Sequence, residues 1–392
     1  MKKAFKKIAS QLHLWLGIIS GLVVFVVALT GCILVFEDEL EPVLYPDFHV
    51  VEANTGERKL PLDHLESIIK YKFPEKKIQW ITIEPEADRT IIFNLKTKEK
   101  EGLAAAIDPY TGRITAVRDE HEAFFSVVLR LHRYLCLEET GKAITGVACV
   151  MFLIVMITGL VLWWPNRKNQ KQRFRVKWDA KFKRLNWDLH AVFGFYVLPF
   201  VFLIAATGLV WSYKWVNNLI YLTFDGKPPV IREAPVNRSV SDIHDNGVLE
   251  KILAETNTLL PNPGRILFTM PKTDSLSISI SKADDYAAVS NIVSFLYFDK
   301  NNGNLISKRL YDNETRGMKV RRLVYPIHTG NIWGLPSKIV AFLVAFIAAS
   351  LPVTGVVIWL GKKRKSKKKL GKMKVAGGNV RVEAIRKLVT VE

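Results

Sequence analysis

Leu12-His13-Leu14-Trp15-Leu16-Gly17 runs into an uncharged span that closes with Thr30-Gly31, and the pattern returns three times. A histidine precedes an apolar span ending in Thr-Gly at His132 with Thr158-Gly159, at His190 with Thr207-Gly208, and at His328 with Thr354-Gly355. The His-to-Thr separations are 17, 26, 17 and 26 residues. That alternation predicts a duplicated pair of helices, with the histidines as the candidate chemistry.

The spans decide the fold class. Leu14 to Phe36, Ala143 to Trp164, Ala191 to Tyr213 and Ile339 to Gly361 carry no Asp, Glu, Lys or Arg, and each has 22 or 23 residues. About 20 apolar residues cross a bilayer core as a helix, which satisfies its own backbone. The expected architecture is an α-helical membrane protein with four transmembrane helices arranged as a duplicated helix pair. A hydrophobic content of 49% would suit a soluble chain equally well, so the clustering carries this reading.

The net charge of +19 points first to nucleic acid, but its placement gives another answer. Residues 1–12, 166–189 and 362–392 hold 25 Lys and Arg against four acids, whereas the rest of the chain has 31 against 33. The excess therefore lies on one side of a membrane, as the positive-inside rule requires. Both termini and the 166–189 loop are expected in the cytoplasm, with no nucleic-acid partner. The polybasic tail reads as a topology anchor and anionic-lipid contact.

The expected order follows. A basic N-terminus (1–12) leads to the first span (13–36) and a first outer domain (37–130). An outer histidine segment with the second span (131–165) precedes the basic loop (166–189) and the third span (190–213). A second outer domain (214–325), an outer histidine segment with the fourth span (326–361) and the basic tail (362–392) complete it. The first span is expected to be retained, because Cys32-Ile33-Leu34-Val35-Phe36-Glu37 offers no small-residue cleavage site. Cys32, Cys136 and Cys149 form neither metal spacing nor a disulfide framework.

Each outer segment reads as a small α+β module. In the first, helical apolar spacing over 61–69 precedes strand-like runs at 78–83, 90–95 and 103–107 and a further strand from Ile114. In the second, a helix over 248–259 precedes runs at 265–269, 276–281 and 292–298. Asp108-x3-Gly112 and Asp299-x3-Gly303 occupy matching places and read as hairpin turns.

Three stretches, "DPYTGRITAVRD" from Asp108, "LRLHRYL" around His132 and "IHTGNIWGLPSK" around His328, resemble the PepSY-associated transmembrane family. That family includes bacterial ferric-siderophore reductases of the inner membrane. The resemblance covers nearly the whole chain. It implies PepSY-like modules in the periplasm, a bacterial inner-membrane location, and b-type haem bound by membrane histidines.

The charges orient the helices so that His13 and His190 lie at cytoplasmic ends, and His132 and His328 at outer ends. Each face then takes one histidine from each half, which is what two bis-histidine haems need. His13 and His190 are followed at i+4 by Gly17 and Gly194 on the same helix face. His132 and His328 each lie 11 residues before their uncharged span, so a bend at Gly141 and at Gly334-Leu335-Pro336 is expected to return them to the interface. Arg130, Arg133 and Arg322 outside, with Lys6 and Arg184 inside, are candidates for the haem carboxylates. Trp163, Trp164, Trp211 and Trp359 read as an aromatic belt. His49, His64, His121 and His244 are expected at polar surfaces.

The 17 residues from His13 to Thr30 cover about 26 Å as a helix, against a hydrocarbon core of roughly 30 Å. Two such haems would make a transmembrane electron wire. No dinucleotide, flavin or P-loop fingerprint is present, so the donor is expected to be a quinol or a cytoplasmic reductase. By resemblance, the leading acceptor is a ferric siderophore or another periplasmic electron acceptor. The competing class is a non-enzymatic PepSY binding or peptidase-modulating protein, or an electron-transfer subunit of another reductase.

Overall fold

The structure, a computed structural model, describes residues 3–52, 57–96, 101–165, 170–230, 234–239 and 247–389. Part of the expected basic loop (166–169), His244 and the last residues of the tail lie outside the described residues.

In chain order, α1 (Lys3–Leu34) is followed by the short α2 (Glu37–Leu44) and α3 (Pro46–His49), then α4 (Leu62–Lys72). Strands β1 (Lys77–Ile83), β2 (Ile91–Lys96), β3 (Glu101–Ile107) and β4 (Ile114–Asp119) come next. Helices α5 (Phe124–Tyr134), α6 (Glu138–Trp163), α7 (Gln170–Arg173) and α8 (Phe182–Asp188) lead into a π-helical turn over Leu189–Phe193 and then α9 (Gly194–Ser212). After α10 (Lys214–Asp225) and α11 (Val248–Leu259) come β5 (Ile266–Thr269), β6 (Ile278–Ala283), β7 (Val293–Phe298) and β8 (Leu305–Arg309). The chain ends with α12 (Arg316–Thr329) and α13 (Leu335–Val389).

Among the described residues, four helical segments are long and apolar enough to cross a membrane: Ala4–Leu34, Glu138–Trp163, Phe182–Ser212 and Leu335–Lys363. They contain the four expected spans almost entirely. The fourth does not stop at Gly361; α13 continues through the basic tail as one helix, since Lys and Arg are good helix formers and no proline interrupts that stretch.

The chain divides into two compact units: Met1–Leu29 with Val147–Phe202 and Val344–Glu392, and Thr30–Gly146 with Leu203–Leu343. The first is helical. Within it Gly21 brings α1 against Pro352, where an added Cβ would lie 3.4 Å from the proline Cβ. Gly17, one turn nearer His13, faces open space. Trp163 and Phe195 stack at 3.6 Å between ring centroids.

The second unit holds the sheet. The sequence reads as two separate α+β modules; the structure joins them into one antiparallel sheet, in the order β4-β3-β2-β1-β5-β6-β7-β8, with β8 not expected from the sequence. The seam pairs Ile81 with Phe268 and Ile83 with Ile266. Each half alone would leave a long apolar edge strand unpaired, and pairing β1 with β5 removes both edges together. Alternating burial along β1, β2, β5, β6 and β7 puts Ile81, Phe93, Phe268, Ile280, Leu296 and Phe298 on one face, where α4 and α11 cover them in a single core.

The two helices cap each other. Asp63 of α4 accepts the backbone N–H groups of Leu249 (3.0 Å) and Glu250 (2.8 Å) at the start of α11. Glu250 accepts the backbone N–H of Leu62 at 2.9 Å. Neither helix has a side-chain cap from its own N-cap residue, Pro61 or Gly247, so the orphan amides are satisfied across the pair.

The expected hairpin turns are present. Asp108 accepts the Tyr110 N–H and the Thr111 hydroxyl before Gly112 at φ +73°. Asp299 accepts the Asn301 N–H and the Ser239 N–H and hydroxyl before Gly303 at φ +69°. Burial alone would raise the Asp299 carboxyl, but these hydrogen bonds hold it down to about 2.

Candidate functional site

Each Thr-Gly pair receives a histidine from another helix. His13 lies on α1, and its Nδ1 is 3.0 Å from the Val155 carbonyl and 3.3 Å from Thr158 Oγ1 on α6. His190 lies in the π-helical turn, with Nδ1 2.9 Å from Thr354 Oγ1 on α13. His132, near the end of α5, places Nδ1 3.1 Å from Thr30 Oγ1. His328, near the end of α12, places Nδ1 2.9 Å from the Ile204 carbonyl and 3.2 Å from Thr207 Oγ1.

The glycine of each pair makes room for the ring. An added Cβ at Gly159, Gly355, Gly31 or Gly208 would lie 3.1, 3.3, 3.4 or 3.1 Å from Cε1 of His13, His190, His132 or His328 respectively. The span-closing motif of the sequence is therefore a receptor for imidazole, a role that its place at the end of each apolar run did not disclose.

The hydrogen bonds fix the tautomer. Thr158 donates its hydroxyl to Ile154 and Val155, Thr354 to Ser350 and Leu351, and Thr207 to Leu203 and Ile204. Each of these hydroxyls, having given its proton to its own helix, accepts from the imidazole. Nδ1 of His13, His190 and His328 is then the N–H donor, and Nε2 of the neutral ring carries the lone pair. Burial pushes His328 below the ordinary imidazole value, with the Ile204 carbonyl acting the other way, which keeps that ring neutral.

The histidines meet in two pairs. His13 and His190 have ring centroids 6.2 Å apart with planes at 87°, within the first unit. His132 and His328 are 6.1 Å apart with planes at 70°, within the second. With a metal–nitrogen bond of about 2.0 Å and about 1.2 Å from nitrogen to ring centre, two imidazoles facing each other across one iron have centroids about 6.4 Å apart. Direct edge contacts between larger rings are tighter, 5.1 Å for Trp211 on His328 and 4.9 Å for Trp163 on Phe174. The residues present are compatible with bis-histidine haem: the imidazoles are paired at a suitable separation, and each Nδ1 is held by a group on another helix.

The approach to the second pair differs from the expected bend. Gly141 lies inside α6, where a Cβ would collide with the Tyr134 carbonyl, so it serves the close crossing of α5 and α6. The turn itself is made by Leu135, Cys136 and Glu138 at φ 49°, 56° and 49°, a left-handed conformation that costs non-glycine residues roughly 1–2 kcal/mol each. The second turn uses Gly330 and Gly334 at φ 74° and 65°. On each side a short helix, a reversal and a span carry the histidine back.

These residues match the model of the PepSY-associated TM region over 10–362. The chain belongs to this family. No curated protein matches it. Family membership and four apolar helices make it a multi-pass membrane protein.

The candidate cations are distributed unevenly. Arg184 pairs with the fully buried Asp188 at 2.9 Å and lies over the Trp187 ring. Arg133 lies over its neighbour Tyr134, and Arg130 is half-buried on α5. Arg322 is gathered with Arg309 on one ring, Phe295. Sequence reasoning missed Arg321, which lies over Trp211, the ring that packs on His328. The signal was its place seven residues before His328, two helical turns away on the same face. It also missed Asn186, buried and donating to the Thr354 carbonyl, which steadies the receptor of His190.

Proposed function

We propose that this family member is a di-haem transmembrane electron-transfer protein of the bacterial inner membrane. It takes electrons from a quinol or a cytoplasmic reductase and passes them to a periplasmic acceptor, a ferric siderophore in the leading case. The observation that carries the reading is the ring-centre separation within each histidine pair, 6.2 and 6.1 Å, close to that of two imidazoles sharing one iron. His13 and His190 would hold one haem, and His132 and His328 the other, all through Nε2. A bound haem supplies one-electron Fe(III)/Fe(II) exchange. The chain's own residues set the tautomer through Thr158, Thr354 and Thr207, hold His132 at Thr30, and exclude water with apolar helices. The duplication of helices and PepSY-like modules belongs to this reading, in which each face would carry an equivalent pair. The charge asymmetry supports cytoplasmic termini, which put His13 and His190 on the donor side.

The test is a visible spectrum of the purified full-length protein. A Soret band and sharp split bands on dithionite reduction are expected, and a colourless folded protein would leave the PepSY binding class in its place. Reoxidation of the reduced protein by a ferric hydroxamate chelate then tests the acceptor; no acceleration over air-free buffer rejects it.

A further inference from the structure

Three arginines of the second unit lie over the Phe295 and Trp211 rings, and Trp211 packs on His328. Arg309 and Arg322 both stand over the Phe295 ring, at 4.4 and 5.2 Å from its centre. Arg321 stands 5.5 Å over Trp211 and donates Nε–H to Asn217 Oδ1 at 2.7 Å. Trp211 in turn packs edge-on against His328 at 5.1 Å. The carboxylate answering this group, Glu314, pairs with Arg309 at 2.6 Å. Arg321 is held by neutral groups instead, an amide and an indole face.

All three guanidinium groups are half-buried. Burial, with the like charges of Arg309 and Arg321 adding to it, lowers the Arg322 guanidinium despite Glu314. Burial also lowers Arg321. Like charges are thus packed together on aromatic faces, which orient the planar forks and leave N–H groups to be shared. Such forks match carboxylate oxygens in pairs, which Lys could not do.

We propose that Arg309, Arg321 and Arg322 form a carboxylate-binding site next to His328. The carboxylate has two possible sources: a propionate of a haem held by His132 and His328, or a free ligand such as a carboxylate iron chelate. Only the first source rests on the proposed function.

The experiment compares wild type with Arg321→Gln/Arg322→Gln as full-length protein in nanodiscs. Citrate is titrated by calorimetry, and haem release to apomyoglobin is followed by absorbance. If the ligand is free, wild type binds citrate and the variant binds it at least tenfold more weakly, with the wild-type affinity falling as salt rises. If the ligand is a propionate, one of two haems leaves the variant at least tenfold faster, while the His13–His190 haem is unchanged and reports the fold. A folded variant unchanged in both overturns the proposal. A colourless wild type rejects the haem reading and leaves citrate to decide this one. Should the double variant fail to fold, Arg321→Lys keeps the charge and loses the fork. It is expected to show the same change severalfold, and its equality with wild type overturns the site.

Discussion

His13 of the first span gives its Nδ1 hydrogen to Thr158 and Val155 of the second, and His132, just before the second span, reaches back to Thr30 of the first. The same exchange joins His190 to Thr354 and His328 to Thr207. Within each half of the chain, each of the two spans receives one imidazole from another helix of that half. The threonines therefore act on the candidate iron ligands without touching iron.

Thr158→Val tests that role. The substitution keeps the shape and removes the acceptor, leaving His13 with the Val155 carbonyl alone. Outer partners of metal-bound histidine are worth about 10–100-fold in affinity. Haem release from one site is expected to rise at least tenfold, with a shifted midpoint potential, while Thr158→Ser stays near wild type. Equal release rates in Val and Ser variants would show that the hydroxyl is only packing.

The glycines separate the two sites. Gly159→Ala sets a methyl 3.1 Å from His13 Cε1, and Gly208→Ala does the same to His328. Each is expected to perturb one haem and spare the other, lowering reduced-band absorbance by up to about half. Gly141→Ala forces α6 off the Tyr134 carbonyl and should disturb only the His132–His328 pair. Loss of both haems from any one of these variants would mean a folding defect rather than a local one.

The reciprocal caps of Asp63 and Glu250 make a prediction about stability. Asp63→Ala leaves the Leu249 and Glu250 amides without their acceptor, and a lost cap costs about 0.5–2 kcal/mol. Glu250→Ala removes one hydrogen bond instead of two and should cost less. Chemical denaturation of the full chain followed by tryptophan fluorescence gives the order. Equal, negligible losses would show that the caps are solvated equally well in their absence.

Much of this was legible from residues. Four uncharged stretches gave the helices, and period-two and helical spacing placed the strands to within three residues at each start. The histidines were found because a polar group at the edge of a span has few reasons to be there. What spacing could not show was contact between distant parts of the chain. The Thr-Gly receptors, the β1–β5 seam and the pairing of Asp63 with α11 depend on which element faces which. The left-handed turn at Leu135, Cys136 and Glu138 was hidden for a different reason: none is the glycine that such a turn normally requires. Its neighbour Gly141 drew the prediction instead, although its work is helix packing.

Glu37 offers a pH-dependent test outside the spans. Burial raises its carboxyl to about 7, and the charges of Asp38 and Glu41 on its own helix add to this. Arg265 on the sheet and Lys338 on α13 act the other way, and Lys338 is itself shared with Asp38 and Glu39 at 3.0 Å each. A carboxyl whose folded value lies above its unfolded value contributes stability below the unfolded value, near 4.5, and loses it as pH rises through about 7. Ionised Glu37 is therefore a burden on the fold at pH 8 and none at pH 4.5. Glu37→Gln, which cannot ionise, is expected to stabilise the protein at pH 8 by about 1 kcal/mol, discounted for partial solvent screening. At pH 4.5 it should be neutral or slightly destabilising. Thermal unfolding of both proteins at the two pH values measures the difference, and a gain that does not depend on pH would mean that the glutamine acts through packing rather than charge.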